Sequence, residues 1–193
     1  MKSRIKSSIK SSVENHIRVL NDSNLQINIE RIVTNSIEAF KNDKKMFFCG
    51  NGGSASDAQH IASELSGRFY KDRPPLYAEA LHVNSSYMTA VANDYGYEET
   101  YARMVEASGR KGDVLVGIST SGNSPNVVKA MLNAKEIGML TVGFTGSKGG
   151  KMKEICDIMI QVPSDDTPRI QEVHILVGHI ICQLIEEEMF PNA

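Results

Sequence analysis

The chain has 193 residues, the length of a single domain that can bury a hydrophobic core. Hydrophobic residues make up 41% and charged residues 23% of the sequence, as in ordinary globular proteins. The formal net charge of −2 argues against nucleic-acid binding through bulk positive charge, and no apolar run is long enough to predict a membrane span. The three cysteines form no Cys-x-x-Cys pair, which favours reduced thiols in a cytoplasmic protein. No apolar segment follows the basic N-terminus, so we expect no signal peptide.

Two amphipathic helices are predicted ahead of the first strand. In residues 2–20, four apolar residues recur at every fourth position and form one stripe along a helix: Ile5, Ile9, Val13 and Ile17. We expect this stripe to pack against a partner subunit rather than against the domain's own core. Asn21-Asp22-Ser23 interrupts the pattern, and a second helix is predicted from about Asn24 to Asn42.

From residue 45 onward, predicted strands alternate with predicted helices. The predicted strands are short apolar runs at Lys45–Cys49, Leu76–Leu81, Asp113–Ile118, Met139–Thr145 and Cys156–Val162. This alternation is typical of a doubly wound parallel α/β sheet of five strands flanked by helices, in which ligands bind at the carboxyl ends of the strands. We therefore predict a single domain over 1–193, with a helical extension over 1–43 and an α/β core over 44–193.

The first predicted strand ends in Gly50-Asn51-Gly52-Gly53, which we call the glycine loop (residues 50–53). Such a loop can adopt left-handed backbone angles and let a ligand approach the main chain. The helix that follows carries His60 and Glu64, one turn apart on one face. Because Gly50-x-Gly52-x-x-Ala55 also fits a weak dinucleotide pattern, three interpretations stay open here: dinucleotide binding, phosphate-ester binding and a plain strand-to-helix turn.

The third predicted strand leads into Ser119-Thr120-Ser121-Gly122-Asn123-Ser124, which we call the serine loop (residues 119–124). Ser124 and Pro125 favour the start of a helix. Hydroxyl groups and main-chain amides at a helix N-terminus suit the oxygen atoms of a phosphate. Serines also favour turns that bind nothing, but a phosphomonoester is the favoured interpretation. Because no lysine follows as in a nucleoside-triphosphate P-loop, a sugar phosphate is the preferred ligand.

The last predicted helix, Thr167 to about Met189, carries polar residues within an apolar pattern. Gln171 and His179 are eight residues apart, a little over two turns, and so share a face broadly. His174 is not excluded by its spacing. A single histidine on an apolar face is more often a core residue than a ligand, so both interpretations remain open for these side chains.

Taken together, these motifs resemble the phosphoheptose isomerases, which are sedoheptulose-7-phosphate isomerases of the sugar isomerase (SIS) fold. The resemblance is carried by Cys49–Ser54, Asp57-Ala58-x-His60 with Glu64, Gly67-Arg68, Asn93-Asp94-x-Gly96, Ile118–Ser124, Gly149–Met152, and Arg169–Glu172 with His174 and His179. It covers nearly the whole chain, including the two leading helices. The stretch Asp165–Pro168, where the last helix begins, is not matched to the family.

The resemblance implies conversion of D-sedoheptulose 7-phosphate to D-glycero-D-manno-heptose 7-phosphate, the first step of activated-heptose synthesis for lipopolysaccharide core or another surface glycan. It implies a cytoplasmic homotetramer with active sites at subunit interfaces, one Zn²⁺ per subunit, and neither nucleic acid nor membrane as a partner. The implied zinc ligands are His60, Glu64, Gln171 and His179. The implied substrate contacts are Asn51, Gly52, Gly53, Glu64, Asn93, Asp94, Ser119, Thr120, Ser121, Ser124 and Gln171.

The resemblance also implies that Glu64 and His179 are the acid/base pair, and the chemistry agrees. Moving a carbonyl between C2 and C1 of a sugar requires removing a proton beside the carbonyl and returning it to the neighbouring carbon. A carboxylate is a suitable base, and an imidazole can move a hydroxyl proton near neutral pH. The alternative is a non-catalytic SIS-domain protein that binds the bacterial replication initiator. Because the full set of catalytic and metal residues is present, we favour the enzyme.

Overall fold

Short apolar runs, separated by capped helices, fold into one sheet with helices on both faces. The computed structural model describes all 193 residues. The strands are β1 (Met46–Gly50), β2 (Ala78–Ala80), β3 (Val114–Ile118), β4 (Leu140–Thr145) and β5 (Ile158–Gln161). The helices are α1 (Lys2–Leu20), α2 (Ser23–Lys41), α3 (Gly53–Ser66), α4 (Ser85–Tyr95), α5 (Thr100–Ser108), α6 (Pro125–Ile137), α7 (Met152–Ile155) and α8 (Thr167–Met189), with a 3-10 turn at Tyr97–Glu99. None of these helices combines the length and hydropathy needed to cross a membrane.

The sheet is parallel throughout, with strand order β2-β1-β3-β4-β5. This confirms the predicted doubly wound α/β fold. Gly50 at the end of β1 pairs with Ile118 at the end of β3. The glycine loop and the serine loop therefore leave neighbouring strand ends, at the point where the strand order reverses and where open α/β sheets bind their ligands.

Strand β2 is shorter than the sequence predicts. The apolar run Leu76–Leu81 indicates six strand residues, but only Ala78–Ala80 pair with β1. Leu76 instead donates its main-chain N–H to the carbonyl of Leu65 at the end of α3, at 3.1 Å. Because β2 is an edge strand with one neighbour, its ends have only one strand to pair with.

The buried side chains form two apolar clusters, one on each face of the sheet. The larger one packs beneath α2, α3 and α8, and the smaller one beneath α5 and α6. Helices α3 and α8, which carry the predicted chemical side chains, therefore lie together on the same face. Their packing is close, because a Cβ at Gly178 of α8 would collide with the side chain of Ile61 of α3.

Helix α1 docks on α8 through its polar side. The buried Asn15 amide donates to the carbonyl of Arg169 at 3.1 Å, and the Ser12 hydroxyl donates to Glu172 at 2.7 Å. The predicted apolar stripe points away from this contact, with 51–61% of each residue exposed: Ile5, Ile9, Val13 and Ile17. An exposed apolar stripe on a helix whose polar side is docked is the arrangement that a subunit contact needs.

Candidate active site

The glycine loop makes a sharp turn between β1 and α3. Gly52 has a φ of 57°, in the left-handed region that favours glycine. Gly53 lies directly against the side chain of Gln171, because a Cβ at this position would come within 2.6 Å of the amide nitrogen. The missing side chain at Gly53 thus lets the Gln171 amide of α8 reach the loop.

Asn51, in the same loop, is held by a residue that the sequence did not point to. Asn51 and Asn126 exchange two amide hydrogen bonds, each 2.9 Å long. The Tyr97 hydroxyl also donates to Asn51 Oδ1, at 3.0 Å. Asn126 is buried in the first turn of α6, directly after the serine loop. In the sequence an asparagine there resembles an ordinary helix-start residue, since its partner is 75 residues away. The Asn51–Asn126 hydrogen bonds therefore connect the glycine loop to the start of α6, next to the serine loop.

The serine loop gathers three hydroxyl groups. Ser119 Oγ lies 2.9 Å from Ser124 Oγ and 3.4 Å from Ser121 Oγ. Gly122 has a φ of 66° and packs on the main chain of Gly149, where any Cβ would collide. Each hydroxyl can donate or accept, so the group can reorient toward the oxygen atoms of an anion at the start of α6.

A cavity of about 260 Å³ opens beside the serine loop. Its lining includes Thr120 and Ser121 on one side and Lys148 and Asp165 on the other, the last two being 3.8 Å apart. A volume below the ~300–1,000 Å³ of drug-sized ligand sites suits a small polar ligand or part of one. The largest cavity, about 820 Å³, lies between α2 and α8 and contains none of the predicted site residues. Of the predicted site residues, Thr120 and Ser121 line the smaller cavity, whereas Asn51, Glu64 and His179 do not.

Helices α3 and α8 bring together His60, Glu64 and His179, which we call the His/Glu/His cluster. His60 Nε2 lies 3.1 Å from Glu64 Oε1, and the His60 and His179 rings meet edge to face with centroids 5.0 Å apart. The ring of Phe69 also stacks on that of His179, with centroids 5.7 Å apart. Glu64 and His179 are partly buried, whereas His60 is exposed.

The His/Glu/His cluster is a candidate metal site. One ligand atom from each of its residues lies within 4.8 Å of the other two. Two imidazole nitrogens and a carboxylate oxygen are a donor set that zinc accepts. These three residues therefore fit the metal that the sequence resemblance implies.

The other predicted site residues lie elsewhere. Gln171 is about 12 Å along the α8 axis from His179, since eight residues of helix separate them, and it lies beside Gly53. Asn93 and Asp94 lie at the exposed end of α4, where the Asn93 amide donates to Asp94 at 2.8 Å. The structure therefore joins three of the four implied metal ligands and leaves Gln171 at the glycine loop.

His174 is a core residue in this structure. Its ring is buried, packs against Phe144 and contacts the Thr145 carbonyl through Nε2 at 3.2 Å. Burial lowers the pKa of His174 to about 4, so the ring is neutral near pH 7.

The carboxyl group of Asp57, one turn before His60, has a raised pKa. Burial raises this pKa to about 6, although the nearby His60 acts to lower it.

Known proteins share this sequence and this fold. The family model of the SIS domain matches residues 11–146. A phosphoheptose isomerase of Aneurinibacillus thermoaerophilus is 52% identical over 192 residues, covering 100% of this chain and 97% of that protein. One from Clostridium acetobutylicum is 51% identical, with coverages of 98% and 97%.

Solved structures of phosphoheptose isomerases agree with the sequence comparison. The structure from Neisseria gonorrhoeae has a TM-score of 0.91 and 39% identity, covering 96% of this chain and 98% of that chain. The structure from Francisella tularensis has a TM-score of 0.92 and 36% identity, with coverages of 96% and 97%. The chain therefore belongs to the phosphoheptose isomerase family of SIS-domain proteins.

Proposed function

We propose that this chain is an aldose–ketose isomerase that converts D-sedoheptulose 7-phosphate to D-glycero-D-manno-heptose 7-phosphate. The product would enter activated-heptose synthesis for lipopolysaccharide core or another surface glycan. The proposal rests on one arrangement of the two loops and α3. The serine loop, which suits a phosphate, is connected to the glycine loop by the Asn51–Asn126 hydrogen bonds. The helix that follows the glycine loop places Glu64 and His60 next to His179. The names of the relatives, at about half identity over the full chain, support the same reaction.

The serine loop and the glycine loop would bind the substrate. Ser119, Ser121 and Ser124 offer hydroxyl groups to the phosphate at the start of α6. The proposed substrate contacts are Asn51, Gly52, Gly53, Glu64, Asn93, Asp94, Ser119, Thr120, Ser121, Ser124 and Gln171. Asn126 supports this set indirectly, because it fixes the amide of Asn51.

Glu64 and His179 would move the protons. Glu64 takes a proton from C1 of the ketose, which leaves an enediol, and returns a proton to C2 to give the aldose. His179 moves the hydroxyl proton from O1 to O2, so that the carbonyl passes from C2 to C1. The stacked ring of Phe69 holds the His179 imidazole in place for this transfer.

The metal in this proposal is Zn²⁺, one per subunit. His60, Glu64 and His179 would hold it. Gln171, the fourth ligand that the resemblance implies, lies beside Gly53 and about 12 Å along α8 from His179, so it is not part of the set that this chain brings together. A bound zinc ion supplies Lewis-acid polarisation of a carbonyl oxygen. In its absence, the same three side chains would keep the carboxylate and the imidazole together through the His60–Glu64 contact.

We also propose that residues 1–193 form a single SIS domain that assembles as a cytoplasmic homotetramer with active sites at subunit interfaces. The exposed apolar stripe of α1 supports such an assembly, since its four residues are each about half exposed in one subunit. The apolar groove between α2 and α8 offers a second surface of the same kind.

The proposed reaction is tested by incubating the zinc-loaded protein with sedoheptulose 7-phosphate and following the aldose product by NMR. Sedoheptulose without its phosphate is the matched control. We expect turnover of the phosphorylated sugar and a kcat/KM at least about 100-fold lower for the control, because the serine loop then has no phosphate to hold. No turnover, together with tight binding of a replication initiator protein, would instead favour the non-catalytic alternative.

A further inference from the structure

The C-terminal end of α3 is held by a buried arginine. The last carbonyl groups of a helix have no partner within the helix. Here the Arg73 guanidinium donates to the carbonyls of Glu64 and Leu65, both at 2.7 Å, and to that of Gly67 at 3.2 Å. The Arg73 side chain is fully buried. The main chain of the proposed base, Glu64, is therefore fixed by Arg73.

A buried carboxylate on α8 faces this arginine. Glu186 Oε2 lies 3.6 Å from Arg73 Nε, and the Glu186 side chain is 2% exposed. Glu186 also accepts the main-chain N–H of Phe69 at 3.2 Å and that of Lys71. Lys71 Nζ in turn donates to the Phe190 carbonyl after α8, at 2.6 Å. The loop after α3 is thus fastened to the C-terminal half of α8.

These contacts reach the His/Glu/His cluster at two points, His179 and Glu64. Phe69, whose N–H Glu186 accepts, stacks on the His179 ring with 27° between the planes. Glu186 lies two turns after His179 on α8, so both lie on the same face of that helix. Glu64 is the residue whose carbonyl Arg73 holds at the end of α3.

We propose that the buried Arg73–Glu186 pair is a positioning device for the reaction, which sets the distance between Glu64 on α3 and His179 on α8. Neither charged group forms an ion pair with a side chain of the cluster. Arg73 acts through the main chain of α3, and Glu186 acts through the loop that carries Phe69. In its catalytic consequence this inference rests on the proposed isomerase function, whereas the effect on the cluster itself can be measured without any substrate.

The test compares two substitutions that remove the same kind of group. Glu186→Gln takes the charge from a buried carboxylate that accepts two main-chain N–H groups. Asp113→Asn does the same directly before β3, where buried Asp113 accepts the N–H groups of Lys45 and Arg110 at 2.9 and 2.8 Å. Both variants should lose thermal stability, so stability alone does not distinguish them.

We expect only Glu186→Gln to disturb the cluster. Its kcat should fall about 10- to 100-fold, and its zinc affinity in competition with a chelator by at least about 10-fold, with KM within about twofold of the wild type. In protein with ¹³C-labelled histidine rings, the His179 signals should shift in this variant and not in Asp113→Asn. If Glu186→Gln does not fold, Arg73→Lys takes its place, with the same shift expected because a lysine cannot hold the Glu64 and Leu65 carbonyls together as the guanidinium does.

Wild-type His179 signals and wild-type zinc affinity in Glu186→Gln would overturn the proposal, as would equal losses of both in Asp113→Asn. The ring signals are recorded on the metal-free protein without sugar. A wild-type protein that turned over no sedoheptulose 7-phosphate would therefore contradict the proposed function and still leave the positioning proposal open to this measurement.

Discussion

The serine loop and the His/Glu/His cluster are built in different ways. All the side chains of the serine loop come from six consecutive residues, and its hydroxyl contacts span at most five positions. The cluster takes its three side chains from α3 and α8, which are separated by about 100 residues of the chain. The proposed phosphate site is thus encoded locally, whereas the proposed reacting groups depend on how two helices pack.

This difference separates two kinds of effect. A substitution in the serine loop should weaken binding of the sugar phosphate and leave the chemical step nearly intact. A substitution in the cluster should slow the chemical step and leave binding nearly intact. Each variant below can break or sharpen this separation.

The largest effect is expected for Glu64→Gln. The amide cannot accept the C1 proton, so kcat should fall by about 10²- to 10⁴-fold, while the dissociation constant for inorganic phosphate should stay close to that of the wild type. The exposed Glu187→Gln on α8 is the control, with activity unchanged. Activity near the wild-type level in Glu64→Gln would remove Glu64 from the role of base.

The two histidines of α8 should respond in opposite ways. His179→Ala removes the proposed proton shuttle, so kcat should fall by about 100-fold or more, with a small change in stability. His174→Ala leaves the Thr145 carbonyl without its buried partner, so it should destabilise the fold by about 1–3 kcal/mol and reduce kcat far less. Parallel measurements of kcat and of urea unfolding test this, and the reverse order of the two kcat values would show that His174 is the catalytic residue.

Much of this architecture was predictable because its signals are local. Apolar runs located all five strands, and Pro125 with the left-handed Gly138 marked the ends of α6. Parallel pairing then required both loops to lie at one edge of the sheet. The edge strand β2 is shorter than its apolar run predicts, because the main chain of Leu76 forms a hydrogen bond with Leu65 at the end of α3 instead.

The side-chain pairs that hold the site together were not predictable. Asn51 meets Asn126, and Arg73 meets Glu186, only after helices from distant parts of the chain have packed. No spacing rule connects such partners, and each residue alone resembles an ordinary loop or surface residue. His174 shows the same limit, since its burial, which decides between core residue and ligand, depends on the tertiary fold.

A smaller effect is expected for Ser121→Ala. Loss of one hydroxyl contact to a charged phosphate costs about 1.5–3 kcal/mol, so KM should rise by about 10-fold or more with kcat little changed. Ser108→Ala, at the end of α5 and outside the loop, is the matched control. A fall in kcat with an unchanged KM would mean that the serine loop takes part in the chemical step.

The last prediction concerns acid stability and the buried His174, and it leaves the activity at neutral pH unchanged. Its pKa is about 4 in the folded protein and has an ordinary value of 6.5 in the unfolded chain. Above pH 6.5 both states are neutral and the ring has no effect; as pH falls toward 4, only the unfolded state takes up the proton, so the free energy of unfolding falls. A glutamine takes up no proton in this range. The free energy of unfolding of His174→Gln should therefore fall by up to about 3 kcal/mol less than that of the wild type as the pH falls toward 4. Identical pH profiles of urea unfolding for the two proteins would contradict a neutral, buried ring.

The central claim is that Glu64 moves a proton between C1 and C2 of a sugar phosphate held by the serine loop. It is tested most directly by running the isomerisation of sedoheptulose 7-phosphate in D₂O and locating deuterium in the aldose by NMR. We expect deuterium at C2 of the product with the wild-type protein, and no labelling with Glu64→Gln at unchanged affinity for inorganic phosphate. Labelling by Glu64→Gln at the wild-type rate would contradict the account.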